Sequence, residues 1–166
     1  MVYHYAPGRG GEHAKALLGG YRGILQCDGY AAYKSLVSSA ADAGPAFLAI
    51  CWNHVRRGFY DLARSKAAPL EEALRRIAAL YAIEAEIRGK PPQHRLTVRT
   101  GRSGPLVHEL FAWFEQQLAH LPGRSPTAEA IRYALNQREE LLWFLQDGRV
   151  DLDTNPVERA IRSWIK

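Results

Sequence analysis

Two kinds of hydrophobic pattern divide the chain. In the first third the apolar residues come in short, unbroken runs bounded by turn residues. Gly23-Ile24-Leu25-Gln26-Cys27 runs up to Asp28-Gly29, and residues 46–52 form a second such run; both read as buried strands. A short strand-like run over residues 2–6 precedes the turn Pro7-Gly8-Arg9-Gly10-Gly11. Residues 12–18 read as a helix closed by Gly19-Gly20, residues 31–38 as another, and residues 54–66 as a basic helix.

From Leu70 the period changes. Leu70, Leu74, Ile77, Tyr81 and Ile87 recur at helical spacing. So do Leu106, Leu110, Phe111, Phe114, Leu118 and Leu121, and then Ile131, Leu135, Leu141, Leu142 and Leu145. Three amphipathic helices are expected, with core-forming aromatics. They are separated by linkers at Pro91-Pro92, Gly101-Arg102-Ser103-Gly104-Pro105 and Pro122-Gly123-Arg124-Ser125-Pro126. The short-run pattern then returns. Residues 149–153 read as an extended piece, and Asn155-Pro156 opens a last helix with Asn155 as N-cap. The expectation is an α/β core over residues 1–66, an all-helical insertion over 67–148, and a return to the core over 149–166, helix-rich overall.

Charge changes the picture modestly. The net charge of +5 favours polyanionic partners, because neutralised phosphates release counterions. No apolar run reaches the length of a membrane span. The N-terminus lacks the basic-then-apolar layout of a secretory signal, so the chain reads as cytoplasmic. The two cysteines, Cys27 and Cys51, read as free thiols, with no CxxC pair to build a closed zinc site.

A few residues carry candidate chemistry. Asp28 is either an Asp-Gly turn residue or a carboxylate held rigidly at a strand end, where a metal-binding acid is useful. Glu158 is either the partner of Asn155 in a capping-box-like pattern or a metal ligand in the first helical turn. Asp151 and Asp153 flank the same point as further ligands or caps. Cys51 and His54 suit packing or a phosphate-facing role better than zinc. His54, Arg56 and Arg57 gather at a strand-to-helix junction that favours anions, and Arg159, Arg162 and Lys166 share one side of the last helix.

Four segments together resemble the transposases of the insertion sequence 66 family. They are residues 20–30 (GYRGILQCDGY), 51–60 (CWNHVRRGFY) and 151–162 (DLDTNPVERAIR), with the Tyr-containing strand ahead of Gly8-Arg9-Gly10-Gly11-Glu12-His13. The resemblance implies a ribonuclease-H-like core bearing two Asp and one Glu, and catalysis of DNA strand cleavage and transfer with Mg²⁺ or Mn²⁺. Asp28 matches the second acid and Glu158 the third, 130 residues apart (158 minus 28), with the helical insertion between them. His54, Arg56, Arg57, Arg159 and Arg162 become DNA-binding candidates.

The first acid matches no position here; in the family it precedes the point where this sequence starts. The expected fold is therefore a truncated ribonuclease-H-like sheet. The expected function is that of a catalytic-domain fragment, inactive alone, acting on transposon ends and target DNA with a homo-oligomer or a missing N-terminal half. The alternative is a non-catalytic helical module from a decayed element that binds DNA or another partner.

Overall fold

Strands β1 (Ile24–Cys27) and β2 (Phe47–Ile50) lie side by side and parallel, pairing Ile24 with Phe47 through to Cys27 with Ile50. Parallel neighbours need a crossover, and helix α2 (Ala31–Ser38) lies in the chain between them. This is a computed structural model, and it describes residues 5–8, 10–29, 31–38, 47–63 and 68–154. Helix α1 (Gly11–Leu18) precedes β1, and α3 (Trp52–Leu62) follows β2 at once. The strand read over 2–6 lies mostly outside the described residues, and Tyr5 and Ala6 belong to no strand. The helix read from Asn155-Pro156 onward, with Glu158, Arg159 and Arg162, lies outside them too.

The remaining elements are helical: α4 (Ala68–Ile87), α5 (Pro92–Val98), a π-helical turn (Arg99–Ser103), α6 (Gly104–His120), α7 (Pro126–Leu135), α8 (Arg138–Leu141) and a 3₁₀ turn (Trp143–Leu145). The chain is thus a helix-rich α/β protein with a two-stranded parallel sheet among its described residues. No described helix is long and apolar enough to cross a membrane.

One expectation about the linkers needs correction. Pro91-Pro92 does lie between helices, with α4 ending at Ile87 and α5 opening at Pro92, but residues 101–105 do not: the backbone is helical from Pro92 to His120. Pro92 sits in the first turn of α5, where its missing N–H costs nothing. Pro105 would ordinarily clash with the carbonyl four residues back. Here the preceding turn is widened, and the Gly104 N–H bonds five residues back, to Arg99 O. The third stripe is not one helix either. It breaks at Asn136-Gln137, so that α7 packs on α3 and α6 while α8 turns onto β2. The breakers at 122–126 do end a helix, and Ser125 caps α7 by accepting a bond from the Ala128 N–H (3.2 Å).

One apolar core joins the strands to the helices. Leu48 and Ile50 of β2, Trp52 and Phe59 of α3, and Phe111 and Phe114 of α6 belong to a single buried cluster. Phe59 stacks on Phe114 with ring centroids 5.3 Å apart. Burial of each such ring removes some 150–250 Å² from water, so these contacts fix the helices against the sheet.

Candidate active site at the strand ends

Asp28 is the first residue past β1, half-buried at the C-terminal end of the sheet. The turn that carries it is built around Gly29, whose φ of +81° suits glycine. A side chain there would meet the Gln137 Oε1 at 2.8 Å and the Tyr133 hydroxyl at 3.2 Å. The Gly29 N–H donates to the Cys27 Sγ (3.4 Å). Burial pushes the Cys27 thiol up to about 11, with the Asp28 charge adding to the effect, so Cys27 stays protonated at neutral pH. Gly29→Ala is expected to cost about 1–2 kcal/mol, through strain in the left-handed region and crowding of Gln137. Urea unfolding checks it, and a wild-type midpoint would show that the turn relaxes freely.

The distant segment 150–154 comes to the same strand ends. The extended piece read over residues 149–153 forms no strand. A turn closes from the Val150 N–H to Asp147 O (3.1 Å), and side chains and strand termini hold residues 151–154. Gln26 of β1 grips Asp151 in both directions, its Nε2 donating to Asp151 O (2.5 Å) and its Oε1 accepting from the Asp151 N–H (3.1 Å). The Trp52 N–H donates to Leu152 O (3.0 Å). Thr154 donates its N–H (3.3 Å) and its hydroxyl (3.4 Å) to the Cys51 Sγ.

Cys51 is therefore a fully buried packing residue at the start of α3. His54, half-buried on the first turn of α3, has its Nδ1 buried without a hydrogen-bond partner among the described residues. Arg56 and Arg57 are exposed on the same helix. Arg56 lies over the Tyr81 ring (5.9 Å), and Arg57 pairs with Asp61 (3.8 Å). Burial, with the Asp153 charge beside it, holds the Tyr81 phenol protonated.

Asp151 Oδ1 accepts a bond from Arg95 (2.5 Å), and the carboxylate is half-exposed. No group of three or more His, Cys, Asp and Glu side chains able to hold a metal gathers among the described residues. Hard dications such as Mg²⁺ require several oxygen ligands, and the described residues alone do not assemble that set.

Sequence reasoning missed Gln26, Gln137 and the Arg95–Arg99–Glu84 group that anchors the segment. The signal was present. Once residues 92–120 are read as one helix, Leu96, Arg99, Ser103, Val107, Leu110 and Phe114 fall on one stripe, and an arginine on a buried stripe calls for a partner.

Comparison with known proteins decides the family. The pattern described as "Transposase IS66 family" matches residues 1–165. The chain belongs to the IS66 transposase family. Its relatives include three uncharacterised proteins of Sinorhizobium fredii (strain NBRC 101917 / NGR234). It is 43% identical to y4qI over 166 residues, 36% to y4hP over 175 and 35% to y4jD over 164. These matches cover 97–98% of this chain but only 31–32% of each relative, so the IS66 chain spans about a third of their length. No solved structure matches it.

Proposed function

We propose that this chain supplies the second and third acids, Asp28 and Glu158, of a ribonuclease-H-like DDE site for DNA strand cleavage and transfer. The observation that carries the reading is the convergence at the strand ends. Asp28 closes β1, and the segment that runs on to Asn155-Pro156 and Glu158 is bonded to Gln26, Cys51 and Trp52 beside it. Two parallel strands with an acid at the end of the first suit such a core.

The substrate is DNA, at transposon ends and target, and the implied cofactor is Mg²⁺ or Mn²⁺. The ions would supply charge stabilisation for the phosphodiester displacement. The chain's own basic groups, His54, Arg56 and Arg57 with Arg159 and Arg162, serve to hold phosphates. Binding of that kind is electrostatic and falls steeply with salt.

The chain alone is proposed to be silent. The chain spans about a third of its relatives' length, and Glu12 lies in the first turn of α1 rather than on a strand. A site short of one acid loses the preorganised electrostatics on which phosphoryl transfer depends. The test is nicking and joining of linear DNA in Mg²⁺ or Mn²⁺, using this chain alone and then mixed with the remainder of a relative such as y4qI. No cutting above an Asp28→Asn control is expected from the chain alone, and Asp28-dependent cutting from the mixture. A mixture that cuts equally well with Asp28→Asn contradicts the proposal. DNA binding without any cutting favours a non-catalytic DNA-binding module.

A further inference from the structure

The helical stretch contains a buried charged group that the proposed site does not use. Arg99, on the π-helical turn, has no exposed surface. Its guanidinium grips Glu84 of α4 through two bonds, Nε to Oε1 (2.6 Å) and Nη2 to Oε2 (2.8 Å). The remaining nitrogen, Nη1, donates to the main-chain carbonyls of Phe144 (3.0 Å) and Val150 (2.8 Å). Arg95, one turn earlier, bonds Asp151 Oδ1 (2.5 Å), adds a longer bond to the Val150 carbonyl (3.4 Å) and approaches Glu84 at 3.8 Å.

A simple core ion pair would need only Glu84. The two carbonyls belong to chain outside regular α-helix and strand, and burial obliges such groups to find donors. The planar fork of arginine can hold a carboxylate on one side and reach carbonyls on the other, which a lysine ammonium cannot do at once. Val150 is also where the strand-end segment begins, and its next residues are the ones bonded to Gln26, Trp52 and Cys51. The π-helical turn presents Arg99 inward at this point, and π-turns are frequent at functional positions.

We propose that Arg99 is a positioning residue: from the helical stretch it docks segment 150–154 onto the ends of β1 and β2, and so sets where the chain running on to Glu158 leaves them. The link to Glu158 rests on the transposase reading; the docking itself does not. Helix α4 and the π-helical turn thereby control the geometry of the strand-end site without touching substrate.

Cys51 provides the readout, because Thr154 covers its buried thiol. The experiment measures labelling of Cys51 by a disulfide reagent at pH 8 in a Cys27→Ala background, with far-UV circular dichroism to confirm folding. A double variant, Arg99→Met with Glu84→Leu, exchanges the ion pair for apolar side chains, a swap that cores often tolerate. Its Cys51 is expected to label at least roughly tenfold faster at unchanged helix content, the factor marking a clear shift in a local opening equilibrium. Arg99→Lys keeps the charge and is expected to label at an intermediate rate. Parental labelling in either folded variant overturns the docking role, and the lysine variant decides if the double variant melts.

In the complemented DNA-cutting assay, the double variant is expected to cut more slowly at saturating DNA, with DNA affinity kept. Unchanged cutting by a chain whose segment has opened overturns the link to the site. Faster labelling with no cutting by any chain, parent included, leaves the docking standing and removes the transposase reading instead.

Discussion

Arg99→Leu, made alone, is expected to lower the unfolding free energy by about 3–5 kcal/mol, the usual cost of breaking a buried ion pair from one side. Three groups lose their bonds to this guanidinium together. The Glu84 carboxylate, only 11% exposed, loses the guanidinium, and Arg95 stays 3.8 Å away. The Phe144 carbonyl loses its arginine donor, and the Val150 carbonyl keeps only the longer bond from Arg95 (3.4 Å). A domain of this size has about 5–15 kcal/mol of stability in all, so the loss is a large share of it. Urea unfolding followed by circular dichroism measures it. Pairing the change with Glu84→Leu should recover much of the loss, since the uncompensated charge goes with it. A single variant within about 1 kcal/mol of the parent would mean that water reaches the pair, and that its burial contributes little.

Trp52→Ala is the second large effect, expected at about 3–5 kcal/mol. Trp52 is 1% exposed and joins three parts of the fold. Its ring meets Phe111 of α6 (centroids 5.9 Å apart) and the edge of Phe144 (6.5 Å), and its indole N–H donates to Leu141 O (3.0 Å). Truncation leaves a cavity between sheet and helices and an unpaired carbonyl. Trp52→Phe separates the two contributions: it keeps most of the apolar volume, and its cost should fall nearer 1–3 kcal/mol, mainly that of the lost hydrogen bond. Equal losses in the two variants would assign the whole effect to the indole N–H.

The parts of this fold that were legible in the sequence are those set by local pattern. Residues 24–27 and 47–50 within the two apolar runs became paired parallel strands, while Trp52 opens α3, and the Leu70–Ile77–Ile87 stripe became the buried face of α4. The misreadings came where tertiary packing overrode local signals. Pro105 reads as a helix breaker, but a widened turn accommodates it. Gln137 reads as mid-helix, but it is buried against the Asp28–Gly29 turn and the helix breaks there. Asp28 was legible as a strand-end acid because a short apolar run leads straight into it. The arginine clamp was not, because Glu84, Arg99 and Val150 are far apart in sequence and only the fold makes them partners.

The claim that Asp28 and Glu158 belong to one metal-dependent site is tested most directly by Mn²⁺ binding to this chain, followed by electron paramagnetic resonance. The account predicts a weak site that disappears with Asp28→Asn and equally with Glu158→Gln, while both variants keep their fold. Mn²⁺ binding that survives both changes, or that depends on only one of the two acids, would contradict it.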